Sequence, residues 1–156
     1  MSSLSDENTY LINAEGCRLG RLASIVAKLL LEGNRVKIYN AEKTIITGNK
    51  NAILNHYIML RGRKQFKSHK TITVWYPTQP DKLLRYSIIR MLPKKQYRGT
   101  EAARRLTVVT GPLSSKKGRE YVPEDAKLSK PISRSLRVIR YMTLGELSHH
   151  LRGARS

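Results

Sequence analysis

Apolar and polar positions fall into short periodic blocks along the first two thirds of the chain. Residues 9–13 (TYLIN) alternate and are rich in β-formers, which predicts a strand. Residues 14–17 contain Gly16 and predict a turn. Over residues 19–32, Leu19, Leu22, Ala23, Val26 and Leu30 recur at helical spacing. Arg18, Arg21, Ser24, Lys28 and Glu32 occupy the other face. Gly33 and Asn34 tolerate positive φ and close that helix. Residues 35–39 (RVKIY) and 44–47 (TIIT) predict two more strands. Asn49 suits the cap of a second helix reaching about residue 60, with Ile53, Leu54, Tyr57 and Ile58 inward.

The pattern then weakens. Residues 61–70 (RGRKQFKSHK) are basic without a period and predict a loop; residues 71–76 read as extended. Thr78, Pro80 and Asp81 look like the start of a helix running to Met91, with Thr78 as the cap. Leu84, Ile88 and Met91 form its inner face, and Lys82, Tyr86 and Arg90 line another. Residues 100–106 predict a short helix and 107–109 a last strand. Residues 111–140 hold Gly, Ser, Pro and scattered charge, which predicts an extended arm. Thr143 and Glu146 frame a capping box that opens a short terminal helix.

A long helix between two apolar strands implies a right-handed crossover and a parallel sheet. The expected organisation is a polar N-terminus over residues 1–8, an α/β core over 9–110 carrying the basic stretch 61–100, and an arm with a terminal helix over 111–156. The N-terminus lacks the basic start and apolar run of a secretory signal.

Charge changes the picture. The 30 Lys and Arg outnumber the 11 Asp and Glu, a formal net charge of +19. Residues 1–60 carry 7 basic and 5 acidic side chains, residues 61–100 carry 11 and 1, and residues 101–156 carry 12 and 5. The first part reads as a nearly neutral fold, and the middle as a surface that meets a polyanion. Self-repulsion of so many like charges is relieved by an anionic partner, nucleic acid being the commonest. An anionic membrane surface is the alternative, but no stretch is long and apolar enough to span a bilayer. The single cysteine, Cys17, excludes an internal disulfide and fits a reducing, cytoplasmic setting.

Catalytic and metal chemistry find little footing. His56, His69, His149 and His150 have no cysteine or acid at ligand spacing. His56 reads as structural or solvent-facing, and the pair at 149–150 as favourable to a helix C-terminus. Gly16 and Gly20 between a strand and a helix superficially suggest a dinucleotide site. The fingerprint needs three glycines and an acid after the second strand; the chain has two glycines four apart, and Asn40 in the acid's place. No cofactor, metal or small-molecule substrate is expected.

The cations Arg61, Arg63, Lys64, Lys67, Lys70, Lys82, Arg85, Arg90, Lys94, Lys95 and Arg98 supply phosphate contacts in this reading. Phe66, Trp75, Tyr76, Tyr86 and Tyr97 lie among them, as stacking partners for unpaired bases. Trp75 stays open between core and stacking surface. Arg18 and Arg21, on the polar side of the first helix, complete the set.

Ordered strings then add a resemblance. Gly20-Arg21-Leu22-Ala23-Ser24, Asn40-Ala41-Glu42-Lys43, Thr47-Gly48-Asn49-Lys50, Met91-Leu92-Pro93-Lys94 and Arg98-Gly99 occur in this order over residues 9–110. Together they resemble the universal L-thirteen family of large-subunit ribosomal proteins, and the Thr-Leu-Gly-Glu helix resembles its archaeal branch. The resemblance implies a Rossmann-like three-layer α/β/α core with a mainly parallel sheet and no nucleotide. It also implies contacts to large-subunit rRNA, a role in subunit assembly, and neighbouring ribosomal proteins as partners. Lys43, Lys50, Lys94, Lys95 and Arg98 sit in matching motifs, and the resemblance implies that they contact the RNA. The family carries Gly before Met-Leu-Pro where this chain has Arg90, so a side chain that can reach a phosphate replaces a close backbone approach.

Overall fold

The computed structural model describes residues 8–67, 70–73, 75–113, 117–128 and 139–153. Strand β1 (Thr9–Asn13) leads into helix α1 (Leu19–Leu31), then β2 (Arg35–Tyr39), a 3-10 turn at Ala41–Lys43 and β3 (Ile45–Thr47). Helix α2 (Lys50–Gly62) follows, its first turn capped by the Asn49 side chain, which accepts from the Asn51 N–H at 3.2 Å. At the end of α1, Gly33 takes φ +100°, and Arg105 Nη2 donates to the Leu30 carbonyl at 2.8 Å.

Residues 64–73 form strands β4 (Lys64–Lys67) and β5 (Lys70–Thr73), paired antiparallel, where the pattern predicts a loop followed by an extended segment. Among the described residues this ribbon pairs only with itself. A pair that is not part of the main sheet needs no apolar alternation to set its register, and Ser68-His69 lacks the Asn-Gly signal of a tight hairpin.

Helix α3 (Pro80–Met91) has Gln79 as its N-cap and no side-chain cap bond, so Thr78 does not cap it. Pro80 starts it instead, with φ already suited to a helix, and Asp81 faces the positive end of the dipole. Leu83, Leu84 and Ile88 are buried, whereas Met91, expected inward, is 46% exposed. The chain turns at Pro93, and Leu92 rather than Met91 goes into the core.

Helix α4 (Tyr97–Arg104) begins three residues earlier than the pattern suggests. Gly99 argues against helix by propensity, but a Cβ there would run into the Pro93 carbonyl oxygen. Close packing of the first turn on Pro93 therefore requires glycine. Strand β6 (Leu106–Val108), strand β7 (Arg119–Glu120), a 3-10 turn at Glu124–Ala126, strand β8 (Tyr141–Thr143) and helix α5 (Leu144–Gly153) complete the chain. Thr143 Oγ1 accepts from the Glu146 N–H at 3.2 Å, the first half of the capping box. The Glu146 carboxylate turns instead to Lys50 Nζ, 3.4 Å away.

The main sheet has the order β6-β2-β1-β7, and every pairing in it is parallel. In order of appearance these strands stand third, second, first and fourth, the open doubly wound arrangement. The fold is α/β with a parallel sheet, consistent with a three-layer α/β/α core. Ile12, Val36, Ile38 and Leu106 pack in one cluster with Leu22, Val26 and Leu30 of α1 and Leu84 and Ile88 of α3. The C-terminal third joins the same cluster through Met142, Leu144, Leu147 and Leu151. β7 extends the sheet, and β8 pairs antiparallel with β3. Parts of the stretch read as an arm, and the terminal helix, are thus built into the fold.

Candidate nucleic-acid interface

Doubly wound sheets hold ligands beyond the carboxyl ends of their strands, where the strand order reverses. Here that point lies between β1 and β7, and protein groups fill it. Asn13 Oδ1 accepts from Asn40 Nδ2 at 3.0 Å and from the Glu15 N–H at 3.1 Å. Tyr39 donates its hydroxyl to Glu120 Oε1 at 3.4 Å. Glu42 Oε2 accepts from the Gly111 N–H at 2.9 Å. The start of α1, which would receive a phosphate in a nucleotide enzyme, is covered by residues 126–128. The Arg18 N–H donates to the Ala126 carbonyl at 2.8 Å, and the Leu128 N–H to the Gly16 carbonyl at 3.0 Å. The crevice is closed by the chain itself.

Buried within it, Cys17 is fully enclosed, and burial pushes its thiol up from 9.0 to about 11, with Glu124 adding to the rise and Lys127 opposing it. Tyr57 of α2 is likewise pushed up by burial, to about 12, with Tyr76 contributing. Both groups keep their protons in the folded state at pH values where the unfolded chain loses them. Their stabilisation is complete below pH 9 and is lost as pH rises toward 11 for Cys17 and 12 for Tyr57. Melting temperature should therefore fall across this window, and Cys17→Ala should flatten its lower half. Alkylation of Cys17 at pH 8 should require unfolding. Rapid labelling of the folded chain would contradict this burial.

The predicted cations divide into three groups. Arg85 and Arg61 are engaged in holding the fold. Arg85 Nη2 donates to the Ala103 carbonyl at the end of α4 at 3.2 Å, and Nη1 to the Leu106 carbonyl at the start of β6 at 2.5 Å. Arg61 Nη1 donates to the Leu151 carbonyl in the last turn of α5. Arg18 is partly buried at the start of α1. In the second group, exposed side chains have partners. Lys43 pairs with Glu15 at 3.1 Å, Lys50 with Glu146, and Arg21 reaches the Asp125 carbonyl at 3.5 Å. Exposed pairs of this kind contribute little, so both lysines remain recruitable. Arg90 donates to the Tyr86 hydroxyl at 3.1 Å and lies 5.4 Å from the ring centroid.

The third group is exposed and has no ion-pair partner among the described residues: Arg63, Lys82, Lys94, Lys95 and Arg98. Lys94 and Lys95 sit on the turn between α3 and α4, and Arg98 in the first turn of α4. Tyr97, 80% exposed, lies between them in sequence. Cations flanking an open aromatic ring suit a phosphate backbone with an unstacked base. The side chains of Lys64, Lys67 and Lys70 lie outside the described residues. Their backbone register sets Lys67 opposite Lys70.

The aromatics also separate. Trp75 is 67% exposed and belongs to the surface. Tyr76 and Tyr86 instead form an edge-to-face chain with Tyr57, with centroid spacings of 5.8 Å and 5.0 Å, that ties α2 to α3 and ends at Arg90. The side chain of Phe66 lies outside the described residues. Sequence reading missed a further cluster, Arg35, Lys37, Arg104 and Arg105, which lines one cleft. The Arg104-Arg105 pair and the polar position of Lys37 within β2 were the available signals. His56, His149 and His150 are exposed, and among the described residues no group of acids, histidines and cysteine is placed to hold a metal. Among them also, no helix is long and apolar enough to cross a membrane.

The fold and the site define an α/β domain whose nucleotide crevice is filled by its own groups and whose outer turns carry exposed cations without ion-pair partners among the described residues. Comparison with known proteins gives the particular family. The profile described as ribosomal protein L13 matches residues 7–114. Similar proteins named large ribosomal subunit protein uL13 occur in several archaea. The one from Methanococcus maripaludis is 40% identical over 140 residues, covering 90% of this chain and 95% of that protein. The one from Archaeoglobus fulgidus is 38% identical over 152 residues, covering 97% and 92%. The chain belongs to the ribosomal protein L13 family.

Proposed function

We propose that this protein is a structural constituent of the large ribosomal subunit, binding large-subunit rRNA and seated beside other ribosomal proteins. The observation that carries this reading is the set of exposed cations at Arg63, Lys82, Lys94, Lys95 and Arg98, unpaired among the described residues, in a stretch with 11 basic residues and 1 acid. Family membership gives the polyanion its identity. The protein works by neutralising phosphates and holding RNA segments in register, not by catalysis. Arg90 serves as a further phosphate contact, its guanidinium presented on the Tyr86 ring. Trp75 and Tyr97 receive unstacked bases. Lys43 and Lys50 exchange their carboxylate partners for phosphates on assembly.

Sedimentation of cell extract at physiological salt tests this. The protein is expected to travel with large subunits and to leave them only at high salt. A pool that sediments free of subunits while the subunits lack it would contradict the proposal.

A further inference from the structure

We infer that the β2–β6 margin of the sheet is a second phosphate-binding surface, separate from the turn at residues 94–98, and that ribosomal RNA supplies the layer covering it. The inference rests on the proposed function and extends it to a named site.

A parallel sheet is normally covered on both faces. The register here pairs Val36 with Leu106, Lys37 with Thr107, and Ile38 with Val108. Successive residues of a strand point to opposite faces. One face of this pair therefore carries Val36, Ile38 and Leu106, all buried in the core. The other carries Lys37, partly exposed, and Thr107, exposed, with Arg35 exposed at the head of β2. Around Arg35, Lys37 and Thr107 this face carries no apolar residue; Tyr39, on the same face at the far end of β2, is buried.

What the face offers instead is charge. Arg35, Lys37, Arg104 and Arg105, with Thr107 and Glu101, line a cleft of about 400 Å³. Glu101 is the single acid of the lining and is already held by Arg104 at 2.8 Å. Neither Arg35 nor Lys37 has an ion-pair partner among the described residues. Arg105 is fixed to the Leu30 carbonyl and gives the cleft a rigid wall. A concave site lined by one sign of charge focuses its potential and draws in a counter-ion. Guanidinium groups beside a hydroxyl suit phosphate oxygens, which Arg binds in a forked geometry. An acidic protein segment would meet the same charge. The phosphate backbone is favoured because it is the polyanion the rest of the surface already addresses.

The test compares two variants against protein-free RNA extracted from large subunits, measuring affinity across salt concentration. One is Arg35→Gln/Lys37→Gln/Arg104→Gln, which leaves Arg105 in place. The other is Lys94→Ala/Lys95→Ala/Arg98→Ala. Each phosphate contact contributes about 0.7–0.9 to the slope of log affinity against log salt. The cleft variant is expected to lose about 2–3 from the slope with an unchanged melting temperature, and the two variants combined should lose the sum. Arg35→Lys/Arg104→Lys should retain most of the slope. If the cleft variant keeps the full slope while the turn variant loses its share, the cleft is not an RNA contact and the proposed function stands. If the unaltered protein binds no RNA, both fail. A photo-crosslinker at position 107 in assembled subunits should label RNA. Labelling of protein alone would overturn the inference in favour of an acidic protein segment.

Discussion

Replacing Leu147 by alanine is expected to lower the free energy of unfolding by about 2–5 kcal/mol, the cost of a cavity at a buried leucine. For a chain of this size that is a fall in melting temperature of roughly 4–20 °C. Leu147 lies on α5 and is fully enclosed, as are Leu144 and Leu151 on the same helix. The helix cannot shift inward to fill the space. A Cβ on Gly145 would sit 3.2 Å from the Glu42 carbonyl oxygen, so the backbone is already in close contact with the 3-10 turn after β2. Arg61 holds α5 from the side of α2 through the Leu151 carbonyl. Thermal unfolding followed by circular dichroism measures the effect. A loss below about 0.5 kcal/mol, typical of a surface site, would mean that the terminal helix is an appendage and not part of the core.

The second large effect is on RNA binding. Affinity for protein-free large-subunit RNA is expected to fall by about 10³–10⁵ between 50 and 200 mM salt, given about 6–10 phosphate contacts. The surface can supply that number. Arg63, Lys82, Lys94, Lys95 and Arg98 are exposed and unpaired among the described residues, and Lys43, Lys50 and Arg90 are exposed with partners they can exchange. Release of condensed counter-ions drives such binding, and added salt removes the drive. An interface built on apolar burial would change little over the same range. Filter binding or fluorescence titration at several salt concentrations gives the slope, and a flat response would exclude a phosphate-dominated contact.

The periodic elements were legible in the sequence. β1 and β2 match their expected ranges, because a buried parallel strand and an amphipathic crossover helix leave strong patterns. The failures have local physical causes. The β4–β5 ribbon does not belong to the main sheet, so its residues follow no core-facing alternation. Met91 falls on the apolar period of α3, but the turn at Pro93 sends Leu92 inward instead. α4 starts early because packing of Gly99 on Pro93 outweighs the poor helix propensity of glycine. β7, within the stretch 111–140 expected as an extended arm, and β8 just after it are only two and three residues long, too short to show a period.

The candidate interface was legible as a charge map but not as a geometry. Sequence counts every arginine alike. It does not show that Arg85 holds the end of α4, that Arg61 holds α5, or that Lys43 and Lys50 have carboxylates within reach. Nor does it show that Lys37 lies beside Thr107 across a strand pairing, so the cleft at the sheet margin needed coordinates. Trp75 was undecided until its exposure was known.

The most direct test of the central claim is the variant Lys94→Ala/Lys95→Ala/Arg98→Ala, assayed for RNA affinity and thermal stability together. These side chains are exposed and make no described contact that holds the fold. The expected result is weaker binding, a salt slope lower by about 2–3, and a melting temperature within a degree or two of the unaltered protein. A steep fall in melting temperature with RNA affinity intact would contradict the account and make these residues structural.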